Sequence, residues 1–209
     1  MKINELFYSL QGEGIQSGLP TIFLRTSGCN LRCAYCDTTY AYRKGTQMNV
    51  EEILHRIEKY PCKHLYIPGG EPLLQKGFQI LLRKLWEKKY TVCIETNGSI
   101  DIKKYIGKPN MMISLDIKCP SSGMHQRMLF CNISYLTKND QLKFIIKNKN
   151  DYEYAKKTLC SYPPKCVVFF QPVWGTNPQK LASWILRDGL SVRLGLQLQK
   201  IVWGAKRGV

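Results

Sequence analysis

The 209-residue sequence is short of several things, and each shortage closes a class of explanation. No apolar run approaches the roughly 20 residues that a helix needs to cross a bilayer. The opening Met1-Lys2-Ile3-Asn4-Glu5 has no basic segment followed by an apolar stretch, as a signal peptide would. A cytoplasmic protein that does not enter the membrane is the expectation. There is no internal repeat, no low-complexity tract and no Pro/Gly/Ser-rich linker, so a single domain over residues 1–209 is expected, long enough to bury a core. A disulfide framework is also missing. The nine cysteines are odd in number, and Cys62, Cys93, Cys119, Cys131, Cys160 and Cys166 are scattered without regular spacing, which suits a reducing compartment. Acidic residues are few: 15 Asp and Glu stand against 31 Lys and Arg, a net charge of +16. That excess is dispersed rather than gathered in one tract, so it does not by itself mark a nucleic-acid surface.

What is present is an alternation of two periodicities. Short β-rich runs recur at Thr21–Arg25, His64–Ile67, Thr91–Glu95, Met111–Asp116, Leu142–Ile146, Cys166–Gln171 and Val192–Gln197. Helical spacing appears between several of them: Val50, Ile53, Leu54 and Ile57, with Asn49 as N-cap; Phe78, Leu81, Leu82 and Leu85; Tyr152, Ala155 and Leu159; and Leu181, Trp184 and Ile185. Strand and helix in turn predict an α/β fold with a parallel, curved sheet and helices outside it. The unusual polar residues fall at strand ends. Gly69-Gly70-Glu71-Pro72, Thr96-Asn97-Gly98, Asp116 and Lys118, Gln171, and Gln197 with Gln199 all follow or end a predicted strand. In parallel βα folds those ends share one face, where active sites gather.

Only Cys29, Cys33 and Cys36 cluster, in Gly28-Cys29-Asn30-Leu31-Arg32-Cys33-Ala34-Tyr35-Cys36-Asp37-Thr38. Thiolates are soft ligands that suit zinc and iron–sulfur centres. Three of them on one loop can hold three irons of a cubane and leave the fourth open for chemistry. A zinc knuckle would need a fourth ligand, and neither His55 nor His64 stands at the usual spacing.

The C-x3-C-x2-C loop, followed one βα unit later by Gly69 to Pro72, resembles the motif pair of radical S-adenosylmethionine (SAM) enzymes. That likeness implies an incomplete parallel β/α barrel, a [4Fe-4S] cluster on the three cysteines and SAM bound to its open iron. In that family, cleavage of the sulfonium releases a 5′-deoxyadenosyl radical. Within the superfamily, the sequence is similar to the 7-carboxy-7-deazaguanine synthases. The likeness rests on Phe7-Tyr8-Ser9-Leu10-Gln11-Gly12-Glu13-Gly14, Arg25 through Thr38, Glu95-Thr96-Asn97-Gly98, Ser121 to Met124, and the stretch from Gln197 to Val209. It implies a lyase that converts 6-carboxy-5,6,7,8-tetrahydropterin to 7-carboxy-7-deazaguanine with loss of ammonia, for queuosine or archaeosine precursors.

Carried over residue by residue, the resemblance assigns Gly69, Gly70, Glu71, Pro72, Gly98, Asp116, Ile117 and Lys118 to SAM. It assigns Leu10, Gln11, Gly12, Glu13, Arg25, Thr96 and the C-terminal Val209 to the pterin, and Thr38 to Mg²⁺. The family departs from this chain at Asp116-Ile117, where Ser-Pro is common, at Pro68, and at Gln199, where histidine is common. Without the resemblance, Thr38 reads as a loop-capping hydroxyl, Arg25 as a strand-end arginine and Asp116–Lys118 as a salt bridge. A small acidic flavodoxin or ferredoxin is the implied reductant, and a homodimer is one assembly that the sequence permits. Two other readings share part of the pattern: a glycyl-radical enzyme activase, and a non-catalytic iron–sulfur or zinc protein that binds nucleic acid.

Overall fold

The computed structural model describes residues 1–209. Its strands form one nine-stranded sheet. They are β1 (Lys2–Leu10), β2 (Pro20–Thr26), β3 (Thr46–Gln47), β4 (His64–Ile67), β5 (Thr91–Thr96), β6 (Met111–Lys118), β7 (Gln141–Ile146), β8 (Val167–Pro172) and β9 (Arg193–Leu194). The order across the sheet is β3-β1-β2-β4-β5-β6-β7-β8-β9. From β2 to β9 every pairing is parallel, while β1 pairs antiparallel with both β2 and β3. The sheet does not close, in keeping with the expected incomplete barrel.

Six helices lie between or after the strands: α1 (Val50–Ile57), α2 (Phe78–Glu87), α3 (Cys131–Tyr135), α4 (Lys149–Ser161), α5 (Pro178–Arg187) and α6 (Leu198–Trp203). The four helices expected from spacing are α1, α2, α4 and α5. Asn49 caps α1 in a reciprocal box with Glu52, each side chain taking the other's backbone N–H. No helix is long and apolar enough to cross a membrane.

Three expectations need correction. β1 was not foreseen as a strand, because its run mixes Asn4, Glu5 and Ser9 with apolar residues. The seventh predicted strand shrinks to Arg193–Leu194, an edge strand with a single neighbour. Gln197 and Gln199 therefore do not end a strand; they begin α6.

Period-2 alternation divides the parallel strands between two faces. Ile22 and Leu24, Leu65 and Ile67, Val92 and Ile94, Ile113, Leu115 and Ile117, Leu142 and Phe144, and Val168 and Phe170 join the main core with the helices. The alternate positions make the inner face. At its lower level a small apolar layer of Phe23, Tyr66, Cys93 and Met112 forms, with Phe7 packed against it. One step toward the C-terminal strand ends, the same face turns polar: Arg25, Glu95, Asp116, Lys143 and Gln171. The alternation that builds the core thus also lines up the functional side chains.

Candidate active site

The polar level opens into a cavity of about 800 Å³, a size that suits a cofactor and a small molecule. Two loops form one wall. The cysteine loop leaves β2 and the Gly-Gly loop leaves β4, and a parallel bridge from Thr26 to Gly69 keeps them side by side. The Gly70 N–H donates to the Thr26 carbonyl at 3.2 Å and the Glu71 N–H to the Gly28 carbonyl at 2.8 Å. A Cβ on Gly70 would overlap the Gly28 carbonyl, and one on Gly69 would overlap Thr26. The glycines were expected to admit a ligand. Their closest approach is instead to the cysteine loop itself, although both also line the cavity.

Cys29, Cys33 and Cys36 carry free thiols and line this one cavity. The Cys29 sulfur accepts from the Leu31 N–H at 3.4 Å and from Asn97 Nδ2 at 3.7 Å. Such donors to sulfur tune a cluster's potential. Nowhere do three His, Cys, Asp or Glu side chains converge as a single bound ion requires. Three thiolates on one loop in a C-x3-C-x2-C pattern suit a group that presents a separate iron to each, as a cubane does.

Glu71, assigned to SAM, spends its carboxylate on hydrogen bonds within the protein. It is fully buried. One oxygen accepts from the Leu73 N–H at 3.1 Å and the other from the Asn97 N–H at 2.8 Å. Thr96 Oγ1 lies 2.9 and 3.0 Å from the two. Burial pushes this carboxyl up to about 7, even against those donors. Glu71 thereby ties the end of β5 to the Gly-Gly loop and holds Asn97 where its amide reaches Cys29. Thr96 lines the cavity, but its hydroxyl is committed to Glu71.

Three more assigned residues stand away from the cavity. Pro72, itself buried, opens a 3₁₀ turn. Ile117 points its side chain into the helix-side core. Gly98, at φ +77°, packs against the Asp116 carbonyl at the end of β6. Side-chain period explains Ile117: its neighbours Asp116 and Lys118 face the cavity, so it cannot.

The cavity floor holds a buried charge cluster that the sequence reading recognised only in part. Lys143 Nζ lies 3.0 Å from Glu13, 2.5 Å from Glu95 and 3.3 Å from Asp116. Lys118 pairs with the other oxygen of Asp116 at 2.8 Å. Burial alone would raise the Glu13 carboxyl, but the Lys143 ammonium and the Gln197 amide outweigh it and hold it near 2. Burial likewise works against charge on Lys143, and the surrounding carboxylates reverse this to keep it an ammonium. Glu95 and Lys143 were missed as site residues. The signal was present: each is a charged residue in an apolar run, on the inner-face phase of its strand. Gln197 and Gln199 donate to Glu13 at 2.9 and 3.4 Å, so α6 is fastened to the loop after β1. Buried amide oxygens of Gln171, Gln197 and Gln199 lack a donor, which makes this corner rich in acceptors.

The remaining assigned residues line the same cavity: Leu10, Gln11, Gly12, Arg25, Thr38 and Val209. Gly12 has no room for a side chain, since a Cβ would meet the Gln199 amide. Thr38 donates to Asp37 at 2.9 Å, and Asp37 pairs with Lys200 at 2.6 Å. Arg25 donates through Nε to Glu5 at 2.9 Å.

Comparison with known proteins gives the family. The model of the Radical SAM superfamily matches residues 23–159, from β2 through most of α4, the stretch that carries both loops. The 7-carboxy-7-deazaguanine synthase of Methanospirillum hungatei is 42% identical over 206 residues, spanning 97% of this chain and 85% of that protein. The one from Thermoplasma acidophilum is 35% identical over 209 residues and the full length of both. Among solved structures, QueE from Escherichia coli aligns with a TM-score of 0.74 at 25% identity, over 94% of this chain and 93% of that one.

Because the two loops meet backbone to backbone, Gly70→Ala is expected to cost about 1–3 kcal/mol, the range for forced overpacking. It should also lower the iron bound per chain after reconstitution. Thermal unfolding and iron analysis together check this; wild-type values for both would mean that the loops can separate freely.

Proposed function

This chain belongs to the 7-carboxy-7-deazaguanine synthases, a family within the Radical SAM superfamily, and on that premise we propose how its residues divide the work. The reaction is the conversion of 6-carboxy-5,6,7,8-tetrahydropterin to 7-carboxy-7-deazaguanine. Ammonia is the only by-product, so the conversion involves no net oxidation or reduction. The observation that carries the reading is convergence: three free thiols, an ionised Glu13 and Arg25 line one small-molecule cavity.

Cys29, Cys33 and Cys36 hold the cluster, and Asn97 and the Leu31 N–H hydrogen-bond to the Cys29 sulfur. When bound, the cluster and SAM supply a 5′-deoxyadenosyl radical for hydrogen abstraction. The backbone of Gly69 and Gly70, with Asp116 and Lys118, forms the SAM side of the cavity. Glu71, Pro72, Gly98 and Ile117 contribute by holding that backbone in place. Across the cavity, Glu13 and the acceptor-rich glutamine corner suit the N–H and NH₂ groups of a pterin's pyrimidine edge, with Gln11 and Gly12 beside them. Arg25 offers the planar fork that a substrate carboxylate needs, and Val209 lies at the same mouth. Thr38 supplies an oxygen ligand for Mg²⁺, an ion that keeps several waters and tolerates few protein ligands.

A glycyl-radical enzyme activase would need a groove that admits a protein loop. Here the chain's own tail, Gly204 to Val209, lines the mouth. The test is an anaerobic assay with the carboxytetrahydropterin, SAM and a strong reductant. Cys29→Ala, Cys33→Ala and Cys36→Ala should each abolish product and cluster while leaving the fold in place. Turnover by an iron-free variant would end this reading.

Mg²⁺ binding gives a separate test. Thr38→Ala should weaken the stimulation by Mg²⁺ at unchanged iron content, and Thr38→Ser should keep most of it. An unaltered Mg²⁺ titration in Thr38→Ala would remove Thr38 from the ion.

For the reductant we propose a small acidic flavodoxin or ferredoxin. Lys2, Arg32, Arg43 and Lys44 are exposed on and beside the cysteine loop, and the chain carries +16 overall. Cluster reduction by such a partner should slow as ionic strength rises. A flat series would exclude electrostatic steering.

A further inference from the structure

Glu5 has no place in the roles assigned so far, yet the structure spends an irregularity on it. In β1 the pairing register slips between Ile3 and Glu5, a bulge at Asn4. Without it Ile3 and Glu5 would share a face. With it, Ile3 enters the helix-side core while Glu5 faces the cavity opposite Arg25, its partner in register. The Glu5 carboxylate then serves two arginines. One oxygen takes Arg25 Nε at 2.9 Å and lies 3.4 Å from the Tyr40 hydroxyl. The other takes Arg207 Nε and Nη2 at 3.0 and 2.6 Å. The Arg207 guanidinium lies 3.5 Å from the centre of the Tyr40 ring. Arg207 belongs to the tail that lines the cavity mouth, and apart from Val209 that tail is exposed.

We propose that Glu5 is a positioning residue that seats Arg25 and Arg207 together, so that carboxylate recognition and closure of the tail depend on one half-buried side chain. Two guanidinium charges against one carboxylate leave the trio at +1, so it attracts a second anion. Pairing through Nε orients Arg25 and leaves both of its Nη nitrogens without a protein partner. They are free to take a ligand carboxylate as a fork. The carboxylate half of this inference rests on the reaction proposed above; the tail half does not.

The experiment compares wild-type, Glu5→Gln and Arg207→Met holoenzymes in two measurements. The first is hydrogen exchange of the backbone amides of residues 204–209 without substrate, which both substitutions should speed. The second is binding of the carboxytetrahydropterin relative to a tetrahydropterin without the carboxylate. Glu5→Gln should reduce that preference about tenfold to a hundredfold, the factor carried by one charge-assisted hydrogen bond, because unseating the Arg25 fork costs more than removing one negative charge returns. Its effect should appear in KM more than in kcat, with bound iron unchanged. Arg207→Met should also weaken the preference, because Glu5 and Arg25 alone have no net charge. A merely structural role for Glu5 would lower iron and kcat and leave the preference intact. Unchanged exchange of the tail, or a carboxylate preference that survives Glu5→Gln, overturns the proposal. If Glu5→Gln does not fold, Arg207→Met decides both measurements. If wild type itself ignores the carboxylate, the proposed reaction falls, and the tail half is still judged by exchange.

Discussion

A single buried ammonium organises the inner face of this protein. Lys143 Nζ sits among Glu13, Glu95 and Asp116 with its side chain 2% exposed. Taking such a charge out of water costs several kcal/mol unless carboxylates surround it. The cost runs both ways, since three closely set carboxylates, one buried and two partly so, would repel one another without a cation. Strands β5, β6 and β7 and the loop after β1 are therefore bound to one arrangement. Glu13 passes that constraint on to Gln197 and Gln199, and through α6 to the tail at the cavity mouth. Floor and lid are thus connected by a chain of short polar contacts.

The opposite wall is set by shape rather than charge. Gly69 and Gly70 let the loop after β4 lie against the loop after β2, and Glu71 fastens the end of β5 to both. Three successive parallel strands thereby deliver their C-terminal loops to one place. A glycine pair beside a glutamate looks, in the sequence, like a ligand cradle. In the fold the first thing it cradles is the cysteine loop. Both descriptions meet in function, because a loop that holds three thiols at fixed separations must itself be held.

The mouth differs in kind from these two walls. It is made from exposed tail residues, with Arg207 stacked on Tyr40 and ion-paired to Glu5 rather than buried in a core. Such contacts are individually weak and screened by salt. They suit an element that must admit a substrate and then cover it, whereas the floor and the cysteine wall suit elements that must not move.

Much of this was legible in the sequence. Residue spacing gave α1, α2, α4 and α5, and the β-rich runs gave the parallel strands, because helix and strand periods are local properties. The three cysteines stood out because their spacing is also local. The inner-face phase of Arg25, Glu95, Asp116, Lys143 and Gln171 follows from alternation alone, once the strands are drawn. What the sequence could not determine was partnership. Lys143 meets Glu13 from 130 residues away, and Glu5 meets Arg207 across 202. Nothing local says that Glu71 turns inward to Thr96 and Asn97, that Gly98 packs on β6, or that Gln197 and Gln199 start a helix. Those outcomes depend on sheet order, on the bulge at Asn4 and on which loops lie side by side. Only the closed tertiary structure decides them, because long-range pairing is settled by burial and charge compensation over the whole chain, not by the pattern of any one segment.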